Sequence, residues 1–184
     1  MVKSVGKEIA MDYRIEKTKR SIYNAFIELR AKKPLEKLTV KELCEKAQIN
    51  KSTFYVYYHD VYDLSDKIEN EIISKVVKNL DNTEEILTDP ARFTERLFLA
   101  YTAQSTLIGT IFTGVRAEQL PKKIEAVLKE TIFAIYPQYR SDTDFNIRLT
   151  YSIYGGFYAY NRHFSNLGKS VTEIIGRLSE RVME

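Results

Sequence analysis

Residues 38–64, LTVKELCEKAQINKSTFYVYYHDVYDL, decide how this chain is read. Thr39 followed three residues on by Glu42 is the signature of a capping box, which starts a helix by satisfying its first free amides. Val40, Leu43 and Ala47 then turn one face of that helix inward. Gln48-Ile49-Asn50 makes a tight turn, and Asn50 is a good N-cap for a second helix from Lys51 to about Tyr58. Asp60 caps the start of a third. Two short helices on a tight turn, the second crowded with hydroxyls, aromatics and one lysine, are how a helix-turn-helix looks when its second helix enters the major groove of DNA.

The residue types suit that geometry. A helix in the groove must reach phosphates on both banks and base edges on the floor. Lys51, Ser52 and Thr53, in the first turn, are small or hydrogen-bonding. The two hydroxyls can donate to phosphate or base, and the Thr53 methyl can touch a thymine methyl. Lys51 can neutralise a phosphate or read guanine. Tyr55 and Tyr57 can hold phosphate by hydroxyl while their rings pack at the groove wall. His59 is read either as a backbone contact or as a solvated residue. Thr39 opens the supporting helix, where free amides and a hydroxyl form an anion site. Phe54 is expected in the core, and Tyr58 as the plug beneath the next helix. The competing reading is a plain three-helix bundle with an aromatic seam. The hydroxyls gathered on one short helix argue against it.

Outward from this stretch the pattern stays helical. A first helix is expected from about Tyr13 to Ala31, with Ile15, Ile22, Ala25, Phe26 and Leu29 on one face and Lys17, Lys19 and Arg20 on the other. Lys32-Lys33-Pro34 ends it. The helix after the motif carries Val61, Leu64, Ile68, Ile72, Val76 and Leu80, and Asp81-Asn82-Thr83 breaks it. Asp89-Pro90 starts another, with proline at the first helical position. Further helices are expected over about Thr106–Val115, from Pro121 to near Pro137, over about Asp144–Phe164, and from a Thr172 cap to the end. Strand-like alternation is rare. The expectation is an all-α protein of about nine helices. Residues 1–60 form a three-helix DNA-binding domain, with its helix-turn-helix at about 39–58. Residues 61–184 form a larger helical domain for dimerisation and effector binding, with helix 61–80 as the link.

The totals bound the rest. Apolar residues make up 44% of the 184, enough for a buried core. No run approaches the roughly 20 apolar residues that span a bilayer. MVKSVGKEIAMDYRIEK lacks the apolar core of a signal peptide, so a cytoplasmic protein without membrane contact is expected. Net charge is only +3, but 13 Lys and Arg face 8 Asp and Glu up to Asp60, against 15 and 17 beyond it. A basic head on a slightly acidic body suits a nucleic-acid partner, although such a surplus also occurs as ordinary surface charge. The single cysteine, Cys44, excludes an intrachain disulfide and reads as a small core residue rather than a redox switch. The two histidines lie far apart, and no phosphate-cradling glycine loop or metal-ligand spacing occurs. No enzyme activity, metal or cofactor is expected.

The stretch from Arg14 to about Ile73 resembles the DNA-binding domain of the tetracycline-repressor (TetR/AcrR) family of bacterial regulators. The matching residues are Ile22, Ala25 and Phe26; Leu38-Thr39-Val40; Leu43 and Ala47; Ile49-Asn50-Lys51-Ser52-Thr53-Phe54-Tyr55; Tyr57-Tyr58; and Leu64. The resemblance implies that the first three helices bind DNA, the fourth links them to a larger helical domain, and two late helices build a dimer. It places Thr39, Lys51, Ser52, Thr53, Tyr55 and Tyr57 at positions that commonly touch DNA. One departure is Val61, where the family often has a phosphate-anchoring lysine. A neighbour such as His59 would then supply the contact, or DNA affinity is weaker or differently distributed. Tyr154-Gly155-Gly156-Phe157, Leu167-Gly168, Ser170 and Glu173-Ile174-Ile175 resemble, more loosely, a C-terminal domain found with such heads in low-GC Gram-positive bacteria.

The implied function is a homodimeric repressor on a pseudo-palindromic operator, its heads about 34–36 Å apart or at a related spacing. A small-molecule effector would release it. Gly156, Tyr160, His163, Ile174 and Leu178 are candidates for a four-helix interface between symmetry mates. Glycines inside a long helix cost about 1 kcal/mol each and fit a close backbone or ligand, or else a kink or loop. Candidate pocket residues are Phe98, Tyr101, Phe112, Tyr151, Tyr154, Phe157 and Tyr158, with plain core as the competing role. A tyrosine-lined pocket would suit a flat aromatic or cationic molecule. The alternative function is a helical interaction protein that acts through a protein partner without binding an operator.

Overall fold

The computed structural model describes residues 2–78, 80 and 84–184, with side chains from Tyr13 onward. Among the described residues there are ten α-helices and no strand. They are α1 (Val2–Arg30), α2 (Val40–Ala47), α3 (Lys51–Tyr57), α4 (Val61–Lys78), α5 (Glu85–Thr88), α6 (Pro90–Ala103), α7 (Ser105–Ile111), α8 (Gln119–Ile135), α9 (Thr143–Leu167) and α10 (Ser170–Met183). The all-α architecture is as expected, with one helix more than nine. The addition, α5, is a single turn, too short to show a period. The expected break at Asp81-Asn82-Thr83 lies outside the described residues.

Local chemistry explains the boundaries. α1 begins at Val2 rather than Tyr13, because the apolar stripe that marks a helix in the sequence starts only at Ile15. Asp89 accepts from the Arg92 N–H at 3.0 Å, with Pro90 at the first helical position, as the sequence indicated. α8 starts two residues before Pro121, so the proline sits in a first turn whose amides have no helical acceptor. Asp142 caps α9, accepting from the Phe145 N–H at 3.0 Å. Gly155 and Gly156 lie within α9, so the loop alternative does not hold. Thr172 is not the cap of α10. That helix starts at Ser170, and the Thr172 hydroxyl donates to the Lys169 carbonyl inside the first turn, at 2.7 Å.

The chain divides into two compact units, Met1–Glu69 with Gly109–Gly114, and Asn70–Ile108 with Val115–Glu184. The division therefore falls inside α4 rather than at residue 60, and Leu64, Ser65, Ile68 and Glu69 of its first half are all buried. In the first unit α1 packs on α2 and α2 on α3. Ile22, Phe26, Leu35, Leu43 and Phe54 are closed to solvent, with Cys44 among them. Burial also raises the Cys44 thiol pKa, as befits a core residue. Arg30, at the end of α1, is buried and donates to the Ile111 carbonyl at 2.8 Å, the Thr113 hydroxyl at 2.9 Å and the Lys33 carbonyl at 3.0 Å. It thereby ties the 109–114 segment to the first helix.

In the second unit α10 packs against α6 and α9, and α8 against α9. Gly176 permits the first contact: a Cβ there would stand 2.9 Å from the Ala91 carbonyl oxygen. Tyr160 stacks on Phe98 at 4.5 Å and on Phe164 at 4.6 Å, and its hydroxyl lies 2.7 Å from that of Thr102. Among the described residues no helix is long and apolar enough to cross a membrane.

Candidate nucleic-acid interface

The scaffold under α3 is assembled from short-range chemistry. The capping box on α2 is complete: the Thr39 hydroxyl accepts from the Glu42 N–H at 3.3 Å, and Glu42 accepts from the Thr39 N–H at 3.1 Å. Lys33 grips the same carboxylate at 2.5 Å. The Lys33 and Thr39 hydrogen bonds hold the Glu42 carboxyl below its usual pKa. At the other end Gln48 adopts φ +56°, a left-handed conformation that strains a side-chain-bearing residue. The Ile49 N–H bonds the Cys44 carbonyl at 3.0 Å and the Gln48 N–H bonds that of Glu45 at 3.3 Å. This is a Schellman closure, which makes the turn tight. Lys46 reaches back to Glu28 at 2.6 Å and clips α2 to α1.

α3 is held from the other side by α4. Lys67 donates to the Tyr57 carbonyl at 3.0 Å, the last turn of α3, and lies 5.1 Å from the centre of the Tyr58 ring. Tyr58 packs on buried Phe54 at 5.5 Å, the plugging role expected of it. Asp63 accepts from the His59 N–H at 2.9 Å and from Lys67 at 3.0 Å, and these two bonds depress its pKa. Asp60 accepts from the Tyr62 and Asp63 amides, both at 2.8 Å.

With Phe54 fully buried, the seven residues of α3 sort themselves by angle. At about 100° per residue, Lys51, Tyr55, Ser52 and Val56 fall within one arc of roughly 140°. All four are exposed, Tyr55 by 55% and Val56 by 73%. Thr53 is half-buried about 60° beyond the Val56 edge, Tyr57 is half-buried on nearly the opposite side of the helix, and His59 is exposed just beyond the helix end. Val56 was not among the expected contacts. Its signal was available in the period, since it lies four residues after Ser52.

Three expectations change at this surface. Asn50 stands at the N-cap of α3, but its side chain makes no capping hydrogen bond. The Thr39 hydroxyl donates to the Glu42 carboxylate at 2.8 Å, so the expected anion site already faces the chain's own carboxylate. Val61 is only 8% exposed, and the first amides of α4 are taken by Asp60. The start of α4 therefore presents carboxylate where a phosphate-anchoring lysine would stand.

The pocket and interface candidates of the second unit disperse. Phe98, Tyr101 and Phe157 line an apolar cavity there. Phe112 belongs to the first unit, where it is buried. Tyr151 and Tyr158 are 68% and 56% exposed, on the outer face of α9. Tyr154 has its hydroxyl at Glu125, and burial together with that carboxylate raises its pKa. Gly156 and Tyr160 are buried inside the unit, Gly156 with its Cβ position 3.1 Å from Ile175. Neither offers surface to another subunit. His163, Ile174 and Leu178 are exposed. Among the described residues no group of His, Cys, Asp and Glu could hold a metal ion. No protein-family model, no curated protein and no solved structure matches the chain.

Proposed function

We propose that this protein is a DNA-binding transcription regulator of the tetracycline-repressor type, working in the cytoplasm as a homodimeric repressor released by a small molecule. The observation that carries the reading is the exposed arc of α3. A lysine, a serine, a tyrosine and a nearly bare valine share one face of a short helix clamped at both ends. A solvated helix gains nothing from exposing Val56. A helix in the major groove gains contact with a thymine methyl, while Lys51, Ser52 and Tyr55 reach phosphate and base edges. Thr53 and His59 flank the same contact, while Tyr57 lies on the far side of α3.

Buried Val61 and the Asp60 cap shift the expected phosphate contacts off the start of α4, so α3 carries more of them. For the dimer, Ile174 and Leu178 lie one turn apart on α10 and both expose apolar surface. That pattern suits pairing with the same helix of a second copy.

The test is a titration against duplex DNA from upstream of the protein's own gene at two salt concentrations, beside Lys51→Ala and Tyr55→Ala. Tight binding that weakens with salt, and further in both variants, is expected, because phosphate contacts release counterions. Binding to a genomic fragment library replaces the single fragment if the operator lies elsewhere. No salt-sensitive duplex binding in either format would sink the reading. The interaction-protein alternative, favoured by the carboxylates at the start of α4, would then take its place.

A further inference from the structure

α1 carries its charges in two stripes. At about 100° per residue, Lys3, Lys7, Arg14 and Lys17 fall within one arc of roughly 80° on that helix. Glu8, Asp12 and Glu16 fall within a second arc of about the same width, centred roughly 180° away. A helix wholly in solvent is stabilised by mixing opposite charges at three- and four-residue spacing on one face. Segregation instead sets a positive face against a negative one, which suits a helix lying beside a polyanion.

The basic stripe adjoins the recognition motif. Arg14 and Thr18 line the same groove as Gln48 and Asn50 of the turn and Thr53 of α3. Arg14, Lys17 and Asn50 are exposed. The groove's lining includes one carboxylate, Glu45, which lies 3.9 Å from Lys41. The cations nearby in the fold are engaged within the chain. Lys46 of α2 meets Glu28 at 2.6 Å, and Lys67 of α4 meets Asp63 at 3.0 Å. α3 has one cation, Lys51, and the start of α4 presents carboxylate. Among the described residues no ion pair involves the side chain of Arg14, Lys17 or Lys51. A head that grips duplex DNA neutralises several phosphates, so one lysine on α3 falls short of the need. The unpaired cations that continue from α3 across the groove are those of α1.

We propose that the basic stripe of α1 is a second DNA-contacting surface, in which Arg14 and Lys17 hold the phosphate backbone beside the major groove that α3 enters. The proposal rests on the duplex-binding reading above and deepens it by adding contacts that read charge rather than sequence. It supplies from α1 the cations that the start of α4 lacks.

The test is an anisotropy titration of the full chain against a random-sequence duplex across a salt series, for wild type, Arg14→Gln, Lys17→Gln and Arg20→Gln. Each substitution removes one positive charge. Arg20 is the control, because it lies about 120° around α1 from Arg14 and outside the stripe. Neutralised phosphates set the slope of log affinity against log salt, at about 0.9 per contact. Arg14→Gln and Lys17→Gln should each flatten that slope by about 1.8, counting both heads of a dimer, and weaken binding to every sequence alike. Arg20→Gln should leave it unchanged, and Arg14→Lys should restore it. All three residues lie in solvent, so melting temperatures should not move. An unchanged slope in Arg14→Gln and Lys17→Gln, or an equal loss in Arg20→Gln, would overturn the proposal. A slope that responds to Lys51→Ala alone leaves the helix-turn-helix reading standing while this one falls. A wild type without salt-sensitive duplex binding sinks both.

Discussion

The outer face of α3 and the cavity wall of the second unit are built on opposite choices. The first puts hydroxyls, a lysine and a bare valine into solvent on a helix of seven residues. The second withdraws serine and tyrosine hydroxyls into an apolar shell and leaves one of them unpaired. On α3 the hydrogen-bonding side chains face solvent and the supporting bonds lie beneath. In the cavity the contacts are the apolar wall itself, and the unpaired Ser152 hydroxyl is closed off behind it. A recognition surface for a large, charged, hydrated partner needs the former arrangement.

The strongest way to break this comparison is to alter adjacent residues of α3. Phe54→Ala empties a fully buried site and should cost about 3–5 kcal/mol of stability. Tyr55→Ala, one residue on, should cost under about 1 kcal/mol, since more than half of that side chain already lies in solvent. Urea denaturation of both variants checks the pair. Similar losses would mean that Tyr55 is a packing residue and that α3 has no displayed face.

A second contrast lies in the glycines of the other unit. Gly176→Ala pushes a Cβ to 2.9 Å from a backbone oxygen of α6, which has no rotamer to yield. A loss of about 1–3 kcal/mol is expected. Gly155→Ala meets nothing within 4 Å, so helix propensity should make it stabilising by about 0.5–1 kcal/mol. Thermal melts that move in the same direction for both would show that the α10–α6 approach is looser than it stands here.

The smallest effect concerns acid. Glu42 is held below its ordinary pKa by Lys33 and Thr39, and Asp63 by the His59 amide and Lys67. Groups shifted this way stabilise the fold in full above the unfolded carboxylate value, near 4, and lose that contribution as pH falls through the lowered folded value. The protection of α2 and α3 amides against exchange, relative to the free-peptide rate at each pH, should therefore fall below about pH 4. Thr39→Ala should cost about 1 kcal/mol at neutral pH by removing the cap, and it should flatten that acid response. Protection in α3 that stays constant through that range would show that these carboxylates do not hold the scaffold.

Much of the first unit was legible because its signals are local. The Thr39–Glu42 box, the Asp60 cap and the inward turn of Phe54 each involve residues within one or two helical turns. Two things there were not legible. The side chain of Asn50 leaves the N-cap unbonded although the residue type favours capping. The Thr39 hydroxyl serves Glu42 rather than a phosphate. Both follow from which partner wins a hydrogen bond, and residue identity alone leaves that open. In the second unit Phe98, Tyr101 and Phe157 line a cavity, while Tyr151 and Tyr158 face outward and Tyr160 faces inward. All six lie on apolar helical stripes, and a stripe gives a residue's angle on its own helix without saying what covers that face.

By itself the sequence determined the helical class, the helix-turn-helix and the residue types available to α3, because period, caps and turn chemistry act over a few residues. Only the tertiary structure decided that Val61 is buried, that Arg30 ties 109–114 to α1, and that Ser152 ends without a partner. Each of those depends on segments distant in sequence meeting at a particular angle, and that angle is set by the packing of whole helices.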